Sequence, residues 1–350
     1  MASSKQQYDV RQGGRVKFLP PSVLISYFTG RKGPSGYGSK ATSDQVVERW
    51  DGKGKVAIVT GPYTGIGVAT ARALACKGCE VILAGRGNKD RGKKWIEREI
   101  LGKCPSAKVE AIELDLSSLA SVKTFTDTFE KTGKKLNILV NNAGVMACPF
   151  TLSKDGYELQ FATNHLGHYL LTKLLLKNMK QTASSKGAPQ GRIVNVASSA
   201  HYMSYDEVLL PEDKLHSEKS YNSWKAYGQS KLSNILHARE LNCILQEEGA
   251  NVIAVAAHPG VIATDLQRHI AMPALVKRVT GLFVSPMLKS IDQGAATSVY
   301  SATAPDVKGA EYYADCNIQG SHPDSKKRHL GRKLWNLSEK YCNTFFSRGT

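Results

Sequence analysis

Short apolar runs rich in β-branched residues alternate with longer amphipathic stretches, and this alternation constrains the fold more than any other feature. The runs have the length and composition of buried parallel strands and lie at 56–59, 80–84, 109–114, 136–140, 192–196 and 252–256. Helical patterning separates them, notably at 67–77, 122–131, 160–178 and 226–246. The alternation predicts an α/β fold: a single doubly wound, Rossmann-type parallel sheet with helices on both faces.

The regular pattern begins near residue 51 of the 350 and predicts one domain over 51–315. Residues 1–50 form a basic extension whose apolar stretch is interrupted by Pro20-Pro21. This apolar stretch is too short to span a bilayer. Three interpretations of the extension stay open: a targeting segment, an interfacial membrane anchor, or an arm packed on the domain. Residues 316–350 are predicted as a basic tail that ends in a short helix around 332–341.

Charge and cysteine usage narrow the classes of function. Lys and Arg number 47 against 30 Asp and Glu, a net charge of +17. Because the basic residues are spread out and not interleaved with aromatics, we expect a polyanionic cofactor or an acidic membrane surface and not nucleic acid. The cysteine count is 7, an odd number that argues against a secreted disulfide framework and favours an intracellular protein. Cys76 and Cys79 have redox-motif spacing, but they also fit small apolar residues at a helix end.

The first predicted strand runs into a turn with three glycines, a pattern typical of dinucleotide sites. One glycine permits the tight turn, one lets backbone amides approach a diphosphate, and one allows close helix packing. The helix N-terminus then offers oriented N–H groups to the anion. Pro62 has no N–H to offer, so its neighbours must leave the cradle intact. The cofactor-binding residues predicted here are Gly61, Tyr63, Thr64, Gly65, Ile66 and Gly67.

The end of the second strand indicates which nicotinamide cofactor the site prefers. An acidic side chain there would accept a hydrogen bond from the ribose 2′-hydroxyl of NAD. This chain instead has Gly85 followed by Arg86. A guanidinium binds a 2′-phosphate through charge-assisted hydrogen bonds, so the sequence favours NADP(H). The alternative for Arg86 is a solvated loop cation.

A candidate catalytic set follows the later strands. Tyr227 and Lys231 are four residues apart and share one face of a predicted helix, where an ammonium would lower the pKa of the phenol toward the working range. Ser198 and Ser199 end the fifth strand, where a hydroxyl can bond a substrate oxygen, and we favour Ser199. Asn164, at the start of a helical stretch, is the candidate to complete a polar relay to Lys231.

Together these motifs resemble the short-chain dehydrogenase/reductase family over roughly residues 55–300. The resemblance implies that Tyr227 is the acid/base, that Ser199 orients the substrate oxygen, and that Asn164 holds a water of the proton relay. It implies that Lys231 binds the nicotinamide ribose and depresses the Tyr227 pKa. Further cofactor contacts are implied for Asp115, Leu116, Asn142, Ala143, Gly144, Pro259, Gly260, Val261 and Thr264.

Within the family, the chain is similar to the branch that holds retinol dehydrogenases, the WW-domain oxidoreductase and chloroplast translocon-associated short-chain dehydrogenases. The stretches that carry this likeness are 141–146, 164–168, 198–201, 227–236 and 30–38. Residues 201–224 are predicted as an insert beside the site. Residues 263–288 are apolar and fit either a lid over a lipophilic substrate or an ordinary packed helix pair.

The predicted function is therefore hydride transfer between NADP(H) and a lipophilic carbonyl or alcohol that resembles retinal, a steroid or a polyprenal. No metal is needed in this scheme. The alternative is an NADPH-sensing subunit of a translocon-type membrane complex, with calmodulin or a translocon protein as partner of the basic tail. The resemblance also implies a homodimer through the Tyr227 helix. The basic charge favours peripheral membrane contact, and the expected location is intracellular: an organelle such as the chloroplast or the endoplasmic reticulum, or a cytosolic membrane surface.

Overall fold

The computed structural model describes residues 29–87, 95–207, 209, 211–262 and 288–348. Thr264 and all but the last residue of the expected lid lie outside the described residues, as do residues 1–28 of the N-terminal extension. Within the described chain, no helix is both long and apolar enough to cross a bilayer.

An eight-stranded sheet in the order β3-β2-β1-β4-β5-β6-β7-β8 forms the centre of the molecule. The first seven strands run parallel, whereas β8 is antiparallel to β7. The predicted doubly wound sheet is thus confirmed, and two short strands extend it. The strands are β1 (Val56–Thr60), β2 (Glu80–Gly85), β3 (Val109–Glu113), β4 (Leu136–Asn141), β5 (Gly191–Val196), β6 (Val252–His258), β7 (Tyr312–Ala314) and β8 (Asn317–Ile318).

Helices cover both faces of this sheet, because successive strand residues point to opposite sides and both sides are apolar. In β1, Ile58 faces one large core cluster while Ala57 and Val59 face another. The helices are α1 (Ser43–Val46), α2 (Gly65–Ala75), α3 (Leu119–Lys131), α4 (Leu159–Phe161), α5 (Gly167–Ala183), α6 (Glu212–Leu215), α7 (Ser223–Glu247), α8 (Ile291–Thr303) and α9 (Arg328–Arg348). Single π-helical turns lie at Glu97–Leu101 and Ala162–Leu166, and short 3₁₀ turns at Ser199–Met203, Glu218–Ser220 and Pro323–Lys326.

The strand order fixes where a ligand can bind. β1 pairs with β2 on one side and with β4 on the other, so the connections after β1 and β4 leave in opposite directions. A crevice therefore opens at the carboxyl ends of these strands, which is where open α/β sheets bind their ligands.

The last described helix, α9, is longer than the predicted short helix and packs on α7. Its inward face is apolar, with Leu334 and Cys342 buried. Ser338 meets the His165 ring at 2.9 Å, and Glu339 accepts a hydrogen bond from Tyr169. The apolar face that a calmodulin-like partner would bind is thus turned toward the domain, and α9 covers an outer face of the Tyr227 helix.

Cys76, at the end of α2, is joined by a disulfide to Cys104, which follows the π-helical turn at Glu97–Leu101. The odd cysteine count argues against a disulfide framework of the secreted type, and spacing along the chain cannot show that two residues 28 positions apart meet. Cys79 is buried as a small apolar residue, in agreement with the second interpretation of the pair.

Candidate active site

The glycine turn between β1 and α2 has the shape that its sequence predicts. Gly61 and Gly65 have φ of +63° and +55°, a region that disfavours other residues. At Gly67, an added Cβ would lie 2.1 Å from the Gly61 carbonyl oxygen, so only glycine lets the helix approach the turn. In the described chain the Thr64 side chain does not cap α2. The first N–H groups of α2 therefore fit a diphosphate, and Ile66 lies in the same turn.

A hydroxyl connects the ends of β1 and β4. Thr60 Oγ1 accepts hydrogen bonds of 2.9 Å from the backbone N–H groups of Asn142 and Ala143. The Asn142 amide in turn donates to the Thr60 carbonyl oxygen at 2.8 Å. The expected cofactor residues of the fourth strand end are thus held beside the glycine turn.

The hydrogen of the Thr60 hydroxyl points toward a buried histidine. His168 Nδ1 lies 3.0 Å from the Asn164 carbonyl oxygen, which can only accept, so Nδ1 carries the ring hydrogen. Burial lowers the pKa of His168 to about 4, and the neutral ring therefore accepts from Thr60 at Nε2, 2.8 Å away. His168 therefore connects the glycine turn to the Asn164 segment.

The end of β2 places Arg86 on the surface and Gly85 beneath the ring of Tyr63. A Cβ at Gly85 would lie 2.9 Å from Tyr63 Cε2 and 3.0 Å from the Pro62 ring. Tyr63 also packs edge-on against Trp95, with 5.4 Å between ring centroids. The unusual Pro-Tyr pair thus fills the space from which an acidic side chain would start.

Asp115 follows β3, where the resemblance places an adenine contact. Burial raises the pKa of this carboxyl, but hydrogen bonds from Ser117 and Lys154 outweigh that effect, and the net shift is downward. The Leu116 side chain is buried in the core, and its carbonyl oxygen lies against Gly167.

Tyr227 and Lys231 lie together in the first turns of α7, both nearly inaccessible to solvent at 4% and 3% exposure. Lys231 Nζ lies 5.7 Å from the centroid of the Tyr227 ring and donates to the Val196 carbonyl oxygen at 2.9 Å. Asn222 begins the helix as its N-cap, and its side chain accepts from two backbone N–H groups of the first turn.

Ser198, and not the favoured Ser199, contacts the Tyr227 phenol. The Ser198 hydroxyl hydrogen-bonds Tyr227 and also accepts from the Ala200 N–H at 3.2 Å, which makes it the N-cap of a 3₁₀ turn. Ser198 makes this contact because of its position relative to the strand and the turn. The strand ends at Val196 and the turn begins at Ser199, so the cap position before the turn faces the Tyr227 helix.

The expected lowering of the Tyr227 pKa by Lys231 is not found in this structure. Burial raises the pKa of Tyr227 to about 12, and the opposing influence is the Ser198 hydrogen bond. Burial also lowers the pKa of Lys231 to about 8. Burial therefore keeps the Tyr227 phenol protonated at neutral pH.

Asn164 lies in the π-helical turn Ala162–Leu166 and reaches the catalytic helix. Its amide exchanges hydrogen bonds of 2.8 and 2.9 Å with the Val145 backbone and donates to Ser230 Oγ at 2.9 Å. An added Cβ at Gly144 would lie 3.0 Å from Asn164 Oδ1 and 3.5 Å from Lys231 Nζ. The structure thus brings these three predicted residues together.

The loop after β6 carries the remaining described cofactor candidates. Pro259 is buried, Gly260 has φ of +92°, and Val261 is 43% exposed. Lys289 crosses beneath Gly260, where an added Cβ would lie 2.8 Å from its side chain, and forms a buried ion pair with Asp315.

The insert before α7 is tied to the opposite wall of the cleft. Tyr221 accepts a hydrogen bond from Gln160 Nε2 at 2.7 Å and donates to the Cys148 carbonyl oxygen at 2.6 Å. Glu158 caps α4, and burial raises the pKa of its carboxyl to about 7. Neither Gln160 nor Glu158 was singled out from the sequence, because nothing in the local pattern marks a buried polar contact across the cleft.

Comparison with known proteins gives the class of this chain. A family model described as short chain dehydrogenase matches residues 55–209. The chain belongs to the short-chain dehydrogenase family, a family of oxidoreductases with a Rossmann fold.

Relatives in this family cover nearly the whole chain. It is 45% identical over 323 residues to short-chain dehydrogenase TIC 32 B, chloroplastic, of Brassica napus, which covers 92% of this chain and 99% of that protein. It is 39% identical over 299 residues to human retinol dehydrogenase 14, which covers 82% of this chain and 85% of that protein. The predicted branch of the family is therefore confirmed.

Solved structures show the same fold. An uncharacterized protein from Mycobacterium paratuberculosis superposes with a TM-score of 0.66 at 30% identity, covering 87% of this chain and 98% of that one. The Pseudomonas aeruginosa RhlG/NADP active-site complex superposes with a TM-score of 0.58 at 22% identity, covering 75% of this chain and 94% of that one. The second likeness concerns the fold alone.

Proposed function

We propose that this chain is an NADP(H)-dependent oxidoreductase that interconverts a lipophilic carbonyl compound and its alcohol. The observation that carries the proposal is the Ser198–Tyr227 hydrogen bond beside Lys231, at the carboxyl end of the sheet. When the nicotinamide cofactor is bound, it supplies or accepts the hydride. The residues of the chain bind and orient the reactants and move the proton.

The proton chemistry favours reduction. The Ser198 hydroxyl orients the substrate oxygen, and Tyr227 donates its proton to that oxygen as charge develops. A phenol whose pKa burial raises to about 12 stays protonated at neutral pH, as a proton donor must. Lys231 supplies a positive charge next to the phenol, and Asn164 belongs to the proposed relay behind it.

The choice of NADP(H) over NAD rests on the end of β2. Arg86 provides an exposed guanidinium for a 2′-phosphate. The Tyr63 ring and Pro62 occupy the space above Gly85, so an acidic side chain that selects NAD has no room there.

The lipophilic substrate class rests on apolar side chains around the cleft. Trp224 is 37% exposed three residues before Tyr227, and Met203 is 42% exposed in the turn that packs on Gly228. Exposed large apolar side chains beside a catalytic cleft favour an apolar ligand over a sugar or an organic acid.

The test is NADPH consumption by purified protein with a panel of retinal, steroid, polyprenyl and quinone carbonyls. We expect turnover with at least one apolar carbonyl and its loss, by about 100-fold or more, in Tyr227→Phe. Tyr300→Phe is the matched control, because it removes a phenol that bonds Asp306 on the other face of the sheet. Equal activity in Tyr227→Phe and wild type would refute the assignment.

The resemblance to a translocon-associated dehydrogenase motivates a second candidate: a subunit that binds NADPH and reports it to a membrane complex in the chloroplast, with little turnover. The 45% identity to TIC 32 B, chloroplastic, supports it. A pull-down from solubilised chloroplast envelope with and without NADPH separates the two functions. Partner binding that responds to NADPH, together with no carbonyl turnover, favours the sensor.

A further inference from the structure

His201 contacts the backbone of Ser198, although it touches none of the groups that the proposed reaction uses. His201 Nδ1 lies 2.5 Å from the Ser198 carbonyl oxygen, and Nε2 lies 3.0 Å from the backbone N–H of His322. The side chain is fully buried, with Tyr202 and Tyr312 packed against its ring.

The two partners determine the state of the ring. A carbonyl oxygen only accepts, so Nδ1 carries a hydrogen, and a backbone N–H only donates, so Nε2 is bare. A neutral Nδ1–H imidazole satisfies both bonds. In a protonated ring, the Nε2–H and the His322 backbone N–H would be two donors facing each other with no acceptor between them. Burial lowers the pKa of His201 to about 4, which is consistent with this state.

The segment that holds Nε2 is itself fixed to the catalytic helix. Arg239 of α7 donates to Ser321 Oγ at 3.2 Å and to Ser325 Oγ at 2.8 Å, on either side of His322. The same helix carries Tyr227. A closed path of contacts therefore runs from Tyr227 through α7, Arg239 and His322 to His201, and from His201 through Ser198 back to the Tyr227 phenol.

We propose that His201 is a positioning residue that holds the Ser198 hydroxyl at its distance from Tyr227. Its Nδ1 holds the Ser198 carbonyl oxygen. Its Nε2 is held in turn by the backbone of segment 321–325, which follows the sheet, so this segment fixes where the ring lies. The proposal rests on the proposed function, since it assigns His201 a part in the same proton transfer.

Two substitutions separate the two ring contacts. His201→Asn keeps a donor at the place of Nδ1 but loses the acceptor for His322, whereas His201→Gln places its amide oxygen at Nε2 and loses the bond to Ser198. We expect His201→Gln to lower kcat about 10- to 100-fold with an unchanged KM for NADPH, because misplacing a catalytic group affects turnover and not cofactor binding. His201→Asn keeps the bond to Ser198 and loses only the support from His322, so it should lower kcat less than His201→Gln, by up to about threefold.

Tyr202→Phe is the matched control. It removes another bond between the same turn and the same segment, from Tyr202 Oη to the Gly320 carbonyl oxygen at 3.0 Å, without touching Ser198. We expect wild-type kcat. Equal kcat in His201→Gln and wild type, or an equal loss in Tyr202→Phe, would overturn the positioning role.

A measurement on the wild-type protein tests the contacts without turnover. In protein labelled with ring-¹⁵N histidine, with His201 assigned by its loss in His201→Asn, we expect a protonated Nδ1 and a bare Nε2 between pH 5.5 and 8. A protonated Nε2 would overturn the proposal. Absence of turnover with every carbonyl would refute the proposed function, while this spectrum would still decide the His201 contacts.

Discussion

The cofactor side of the cleft and its proton-transfer side are built by different means. On the cofactor side, glycines and backbone N–H groups at the ends of β1 and β4 form the surface, and one hydroxyl, that of Thr60, joins them. On the proposed proton-transfer side, groups from segments far apart meet: the Ser198 hydroxyl bonds Tyr227, and the His201 ring accepts from the backbone N–H of His322. The first side depends on backbone shape, which local sequence encodes. The second depends on the directions of side chains, which distant contacts set.

Replacing each of the paired serines tests the proton-transfer side and has the largest expected effect. Ser198→Ala should lower kcat about 100- to 1,000-fold, because it removes a hydrogen-bond donor to the reacting oxygen. Ser199→Ala should leave kcat within about threefold, because Ser198 contacts the phenol. Steady-state rates with one active carbonyl show which variant loses more kcat. A larger loss in Ser199→Ala than in Ser198→Ala would restore the assignment to Ser199.

Removing the cation at the end of β2 tests the cofactor side. Arg86→Ala should raise the KM for NADPH about 10- to 100-fold and leave the KM for NADH unchanged, because a charge-assisted bond to the 2′-phosphate is lost. Arg86→Lys, which keeps the charge, should recover part of the affinity. An equal change in the KM for NADPH and the KM for NADH would show that Arg86 does not bind the 2′-phosphate.

A pH profile probes Lys231, where the two sides meet. Burial lowers the pKa of Lys231 to about 8, so its ammonium is present below that pH and is lost as the pH rises through it. We expect kcat/KM for carbonyl reduction to fall up to about tenfold per pH unit above 8. Lys231→Arg, whose cation persists, should move this fall to higher pH. A profile that is flat to pH 10 would contradict the role of the ammonium.

The disulfide between Cys76 and Cys104 should matter for stability and hardly for turnover. It closes a 28-residue separation, and the chain-entropy model gives at most about 3.5 kcal/mol for such a loop. Cys76→Ser should therefore lower Tm by several degrees, measured by calorimetry, with kcat within about twofold of wild type. Cys243→Ser is the control, because Cys243 is a free thiol.

The strands and the glycine turn could be predicted because each signal is local. The run from Val56 predicts a strand whatever the rest of the chain does, and the turn at Gly61 requires positive φ. Strands β7 and β8 are only three and two residues long. Segments this short do not show enough alternation of apolar and polar residues to be recognised as strands. The two strands form because β7 pairs with the edge of β6 and β8 pairs with β7.

The catalytic serine and the histidines show where local reasoning ends. Choosing between Ser198 and Ser199 required the residue at which the strand becomes a 3₁₀ turn, and a shift of one position reverses the result. The effect of Lys231 on Tyr227 depended on how deeply both are buried, which no spacing reveals. His201 bonds two backbone atoms, and His168 bonds one backbone oxygen and the Thr60 hydroxyl, and such bonds leave no mark in the sequence.

The part of the N-terminal extension that the structure describes crosses the outer strand of the sheet. Ser35 donates its backbone N–H to Asn317 Oδ1 at 3.1 Å, and the Asn317 amide donates to the Tyr37 carbonyl oxygen at 3.0 Å. An added Cβ at Gly33 would lie 2.4 Å from the same amide. A truncation after residue 40 therefore strips a cover from an edge strand and invites aggregation, which would mimic mislocalisation in a localisation experiment.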